Sequence, residues 1–181
     1  MSESPSVNKD RVLTCSVYCN GSKLGNEYTL VAATVHLELN RIGKATLKFN
    51  AGNMNKQTFD ESDADLFKPG NAIRLEAGDI EKEDILFDGM IIGLRIITDK
   101  DFHSYMLVEC RDHAYSAMQG RKNRIFEKKK DCDIIKEVLL AYGSVEVDST
   151  PYQYPTLVQY YCSDWDFALS RADANGLFVF T

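Results

Sequence analysis

An α+β fold, mainly β and antiparallel, is what this sequence predicts. Two observations carry the prediction. Between Arg11 and Cys110 apolar residues recur at every second position, with polar turns between the runs. After Cys110 the spacing changes to the three-and-four rhythm of amphipathic helices, over about 131–142 and 164–174. Several short strands joined by polar turns predict a small antiparallel barrel or sandwich over 11–112. It follows a tail at 1–10, where Ser, Pro and charge leave nothing to bury, and precedes an α/β segment at 113–181.

The first strand places Leu13, Cys15, Val17 and Cys19 on one side, and Asn20-Gly21 supplies the positive-φ pair of a tight turn. Tyr28, Leu30 and Ala32 lead into Val35, Leu37 and Leu39, with a change of parity that predicts a bulge or bend. Alternation resumes at Ala45, Leu47 and Phe49 after the connection 40–44, so the two strands read as a hairpin with one wet face. Residues 50–65 form a polar loop, and Lys68-Pro69-Gly70-Asn71 a turn in which proline pre-sets φ and glycine accepts the positive φ that follows. Further strands are predicted at 73–77, 85–94 and 105–110, with Gly89 and Gly93 as bends of a curved sheet.

Asp131 is placed to cap a helix carrying Ile134, Ile135, Val138, Leu139 and Tyr142, closed by Gly143 in the left-handed conformation. Asp131 and Asp133 offset the meeting of Lys128, Lys129 and Lys130 with the positive helix end. Ser163 and Asp166 form a capping box for a second helix that buries Trp165, Ala168, Leu169 and Ala172 and stops at Asn175-Gly176. Leu177-Phe178-Val179-Phe180 reads as a strand that stops as it begins, which predicts that the polypeptide is the first part of a longer protein.

Composition excludes several classes. The 181 residues carry 27 acidic and 21 basic side chains, a net charge of −6 that disfavours general nucleic-acid binding. One local exception is 121–130, with six basic residues in ten positions, read as a solvated loop before a helix in preference to a polyanion patch. No apolar run follows the N-terminal charges, so no signal peptide is read, and no window approaches a membrane span. Five cysteines without paired spacing are read as reduced thiols, and assembly in the cytoplasm follows.

Candidate chemistry is thin. His103, Cys110 and His113 lack a fourth ligand at a recognisable distance, so no zinc site is assigned. Cys110, on an alternating strand with Val108, reads as a small buried thiol rather than a nucleophile. The acids Asp60, Glu61, Asp63 and Asp65, and those of 79–84, lack the glycine of a calcium loop and read as solvated. Phosphate-loop, G-x-S-x-G and H-E-x-x-H patterns do not occur. Tyr152, Tyr154, Tyr160 and Tyr161, near Trp165, fit a sugar-binding shelf or, in preference, core and interface aromatics. No catalytic, cofactor or metal residue is assigned, and the chain is not read as an enzyme.

Six segments occur in an order that resembles the N-terminal hub region of VgrG proteins, the spikes of type VI secretion, and more distantly the hubs of contractile phage tails. They are 35–49 (VHLELNRIGKATLKF), 62–71 (SDADLFKPGN), 85–93 (ILFDGMIIG), Arg124-Ile125-Phe126, the helix at 133–143, and 157–176 (LVQYYCSDWDFALSRADANG). The resemblance extends over residues 12–180, and the last segment, with its VQY, DWDF and NG elements, is the most distinctive. The resemblance implies a tail-tube-like β domain followed by the start of an α/β hub domain, here apparently truncated. It further implies a trimer in the full-length parent, contact with a hexameric tail-tube protein and with baseplate proteins, association with effector cargo, and export within the injection apparatus. The long intertwined spike of the family is missing from this sequence, so the 181-residue chain is expected to be a monomer or weak oligomer. Two other classes compete: a binding module for carbohydrate or an effector protein through 152–167, and a hydrolase built on Cys110 and His113.

Overall fold

The computed structural model describes residues 14–50, 65–79, 82–101 and 103–181. The tail at 1–10, Leu13 and the loop acids Asp60, Glu61 and Asp63 lie outside them. Two compact units form. One takes the chain up to Ala33 and then Thr46–Cys110; the other takes Thr34–Ala45 and Arg111–Thr181. Residues 34–45, continuous in sequence with the β domain, thus group with the C-terminal unit.

Seven strands make one sheet: β1 (Thr14–Cys19), β2 (Ser22–Lys23), β3 (Leu30–His36), β4 (Lys44–Asn50), β5 (Ala72–Gly78), β6 (Glu83–Thr98) and β7 (Ser104–Asp112). Their order is β2-β1-β5-β6-β7-β4-β3, and the pairs β1–β2, β1–β5 and β5–β6 are antiparallel. The mainly β, antiparallel expectation holds, but the barrel does not close. Closure needs two terminal strands long enough to share a staggered ladder, and β2 offers two residues.

In the first unit, the core follows the alternation of each strand. Leu47 and Phe49 on β4, Ile73 and Leu75 on β5, Phe87 and Ile91 on β6, and Met106, Val108 and Cys110 on β7 are all buried. Phe67 fills the centre, tilted against Phe49 at 5.4 Å and edge-on to Tyr28 at 5.3 Å. Asn20 and Gly21 both take positive φ, 48° and 81°, and turn β1 into β2 with Cys19 opposite Ser22. At 68–71 the Asn71 amide donates to the Lys68 carbonyl at 3.1 Å, with Gly70 at φ 98°.

Two expectations for these strands are corrected. Cys15 is exposed, because the apolar face ends at a register shift between Leu75 and Glu76; beyond it Ala77 is only half-buried. That shift leaves Leu86 without a partner on β5, since Leu75 faces Phe87 and Glu76 faces Ile85. Gly89 and Gly93 lie within β6, which is continuous from Glu83 to Thr98. Finally, β3 ends at His36, so Leu37 and Leu39 lie in the connection and are exposed.

The second unit pairs β8 (Lys122–Lys130) with β9 (Gln153–Cys162) and sets α1 (Asp131–Leu139) and α2 (Asp164–Asp173) against them. Phe126, Ile134, Ile135, Val138, Phe167, Ala168 and Ala172 form its core, with Phe126 stacked on Phe167 at 5.7 Å. The basic run at 121–130 is therefore mostly strand, where a loop was expected: its pairing partner lies some thirty residues on, and lysines hide the alternation.

The helix ends differ from one another. Ser163 caps α2 as expected, its Oγ accepting from the Asp166 amide at 3.0 Å and donating to the Asp166 carboxylate at 2.6 Å. Gly176, at φ 67°, closes it: its amide donates to the Asp173 carbonyl and that of Leu177 to the Ala172 carbonyl, both at 3.0 Å. Asp131, by contrast, is the first helical residue of α1 rather than its cap, and Lys130 precedes it without a side-chain bond. Gly143 is not left-handed, and α1 stops at Leu139. Residues 177–180 form no strand; instead Val179 exchanges two 2.9 Å bonds with Asn40, and the Gly43 amide donates to Thr181 Oγ1 at 2.9 Å.

Candidate interaction surface

The two-stranded sheet gives the second unit a covered face and an open one. Period-two alternation sends Arg124, Phe126, Leu157 and Gln159 inward, where Phe126 and Gln159 are fully buried. Ile125 and Val158, paired across the strands, point the other way with Tyr160, and they are 67%, 50% and 80% exposed. Tyr161 joins this face at 64% exposure.

Tyr161 is held there under strain. Its φ of 46° is a left-handed conformation that a bulky side chain rarely adopts. Its amide donates to Asn123 Oδ1 at 2.9 Å, its carbonyl accepts from Arg121 Nη1 at 3.3 Å, and the Arg121 guanidinium lies 5.3 Å from its ring. Such a conformation costs about 1–3 kcal/mol and persists only where the surroundings fix it. The four tyrosines of 152–161 do not make one shelf. Tyr160 and Tyr161 are presented outward, whereas Tyr154 turns in to accept from Arg171 Nη2 at 2.7 Å, with Tyr152 edge-on to it at 4.7 Å.

Beneath the sheet, two buried carboxylates fix its support. Asp164 accepts from Lys122 Nζ at 2.6 Å, Tyr142 Oη at 2.8 Å and Gln159 Nε2 at 2.9 Å, with Arg124 Nη2 at 3.4 Å. Asp131 accepts from Arg171 through both carboxylate oxygens, at 2.6 and 3.1 Å, and from Asn175 Nδ2 at 2.8 Å. Burial pushes both carboxyls up, but the hydrogen bonds from these partners outweigh it and hold each below the ordinary aspartate value. So much of the basic run is spent internally: Lys122 and Arg124 serve Asp164, and Lys129 pairs with Glu137.

Sequence reasoning missed this role of Asp131 and Asp164. Their charged partners lie about forty residues away, and the local sign was an acid in the first turn of each helix.

Cys110 is buried, and burial pushes its thiol up to about 12, far from the thiolate that a nucleophile or metal ligand needs. His103 lies 3.4 Å from Asp99, and His113 is exposed on a 3-10 turn at His113–Met118. Among the described residues no three His, Cys, Asp or Glu side chains gather as an ion site, and no helix is long and apolar enough to cross a membrane.

The open sheet followed by a unit of two strands and two helices is a fold also found in tail proteins. The chain superimposes on the 43 kDa tail protein of prophage MuSo2 from Shewanella oneidensis with a TM-score of 0.70 at 13% identity, covering 94% of this chain and 53% of that one. The Escherichia coli c3393 protein, a type VI secretion component with structural similarity to the T4 bacteriophage tail proteins gp27 and gp5, matches at 0.61 and 13%, covering 86% and 42%. A chain of the Francisella PdpA–VgrG complex matches at 0.52 and 14%, covering 89% and 25%. The chain thus spans about half of their length or less. No curated protein sequence matches it. The family is the Alg8 N-terminal domain, which matches residues 9–181, and the chain belongs to it.

Proposed function

We propose that the chain is a structural hub part of the spike or baseplate of a contractile injection machine, of the VgrG kind, joining tail tube to puncturing spike. The likeness of 94% of the chain to a prophage tail protein carries this reading. The exposed face of Ile125, Val158, Tyr160 and Tyr161 supports it, since aromatic anchors of that kind seat protein partners. On this reading the chain does no chemistry, its full-length parent is a trimer, and its partners are tail-tube and baseplate proteins together with effector cargo. Export follows within the particle.

Deletion of the coding sequence in the source cell, followed by electron microscopy of purified particles, tests the reading. Tubes lacking a spiked end are expected, with restoration by the wild-type chain in its full-length parent. Spiked particles of normal number and shape from the deletion strain would overturn it.

A further inference from the structure

The second unit carries a separate cleft of about 410 Å³, bounded by the end of β3 and the connection after it, the start of β4, the end of β7 and the 3-10 turn that follows, and α2. His36, Arg41, Lys44 and Arg111 line it, with Tyr115 and the buried Trp165 among its walls. One acid, Glu38, lines the cleft and pairs with Arg41 at 3.1 Å, which leaves Lys44 and Arg111 as cations with no acidic partner among the described residues. A concave site with an excess of positive charge and apolar walls focuses its field on an incoming anion.

We infer that this cleft binds the carboxylate side chains of an acidic peptide segment on a partner protein. Recognition falls to side chains: the Arg111 guanidinium can take a carboxylate in a two-point contact, and Lys44 a second one. The same cations take phosphate, and the apolar wall beside them is what favours the carboxylates of a peptide. Tyr115, Trp165 and Ile42 supply the apolar contact that the methylenes of glutamate need. The inference does not rest on the hub proposal, since its argument uses only the side chains that line the cleft.

Trp165, the single tryptophan, lines the cleft and reports on it. Full-length chain titrated with a hexaglutamate peptide should show saturable one-to-one binding, by a change in tryptophan emission and by calorimetry. Binding should weaken about tenfold or more in Lys44→Gln/Arg111→Gln, and on raising salt from about 50 to about 500 mM. A Lys128→Gln/Lys130→Gln control should bind as wild type. Thermal melts matching wild type confirm that each variant is folded; if the double variant fails to fold, Lys44→Gln alone is measured, with a threefold or greater loss expected. No saturable binding, equal weakening by the control pair, or inorganic phosphate binding as tightly as hexaglutamate would each overturn the inference.

Discussion

Trp165 and Gly176 show two distinct ways in which one residue holds α2. Trp165 is 5% exposed, and Leu169 one turn on is half-buried beside it on the helix face. Trp165→Ala removes a large buried side chain and is expected to cost about 3–5 kcal/mol in urea denaturation. A loss below about 1 kcal/mol would place the indole outside the core. Gly176 acts through the backbone. A Cβ there would meet nothing within 4 Å, so the cost of Gly176→Ala is purely that of the left-handed conformation, about 1–2 kcal/mol. Measured against an alanine substitution at exposed Lys136, an equal effect would show that the turn relaxes freely.

At the scale of elements, local signals were legible and distant ones were not. The burial of Ala45, Leu47 and Phe49, the Asn20-Gly21 turn and the Ser163 cap could each be read within a few residues. Asp131 could not: its helix-start position suggested a cap, but a buried carboxylate is better satisfied by the two-point contact with Arg171, forty positions on. The aromatic face was half legible. Tyrosine-rich sequence marked the segment, while the left-handed conformation of Tyr161 depends on its bonds across to β8. Phe167, a core residue stacked on Phe126, went unmarked because Trp165 and Ala168 already accounted for the helix face.

The two buried carboxylates also make a pH prediction. Both titrate below the ordinary aspartate value in the folded protein, so the unfolded chain takes up their protons first. Their contribution is complete above about pH 4 and is lost as pH falls through the folded values. Urea midpoints of the second unit, followed by tryptophan emission, should fall steeply between about pH 4 and pH 2, and less so in Asp131→Asn. Parallel pH curves for wild type and variant would remove Asp131 from the account.

For the whole molecule, the question is how much of any assembly this chain supports alone. The long intertwined spike that the resemblance implies is missing from this sequence, and a stable contact needs ~1,000 Å². Association also carries several kcal/mol of entropic cost before contacts count. The 181-residue chain is therefore expected to be a monomer or weak oligomer at micromolar concentration by light scattering coupled to gel filtration. A salt-resistant species of about three chain masses would show that this part trimerises unaided.

The bonds between Asn40 and Val179 join positions 139 residues apart. During synthesis at roughly 5–20 residues per second, the connection at 37–43 leaves the ribosome about 7–28 s before its partner is made. The second unit cannot finish folding in that interval, because one of its walls has been translated and the other has not. For those seconds the segment 37–43 lacks the bonds to Val179 and Thr181 that fix it in the finished fold.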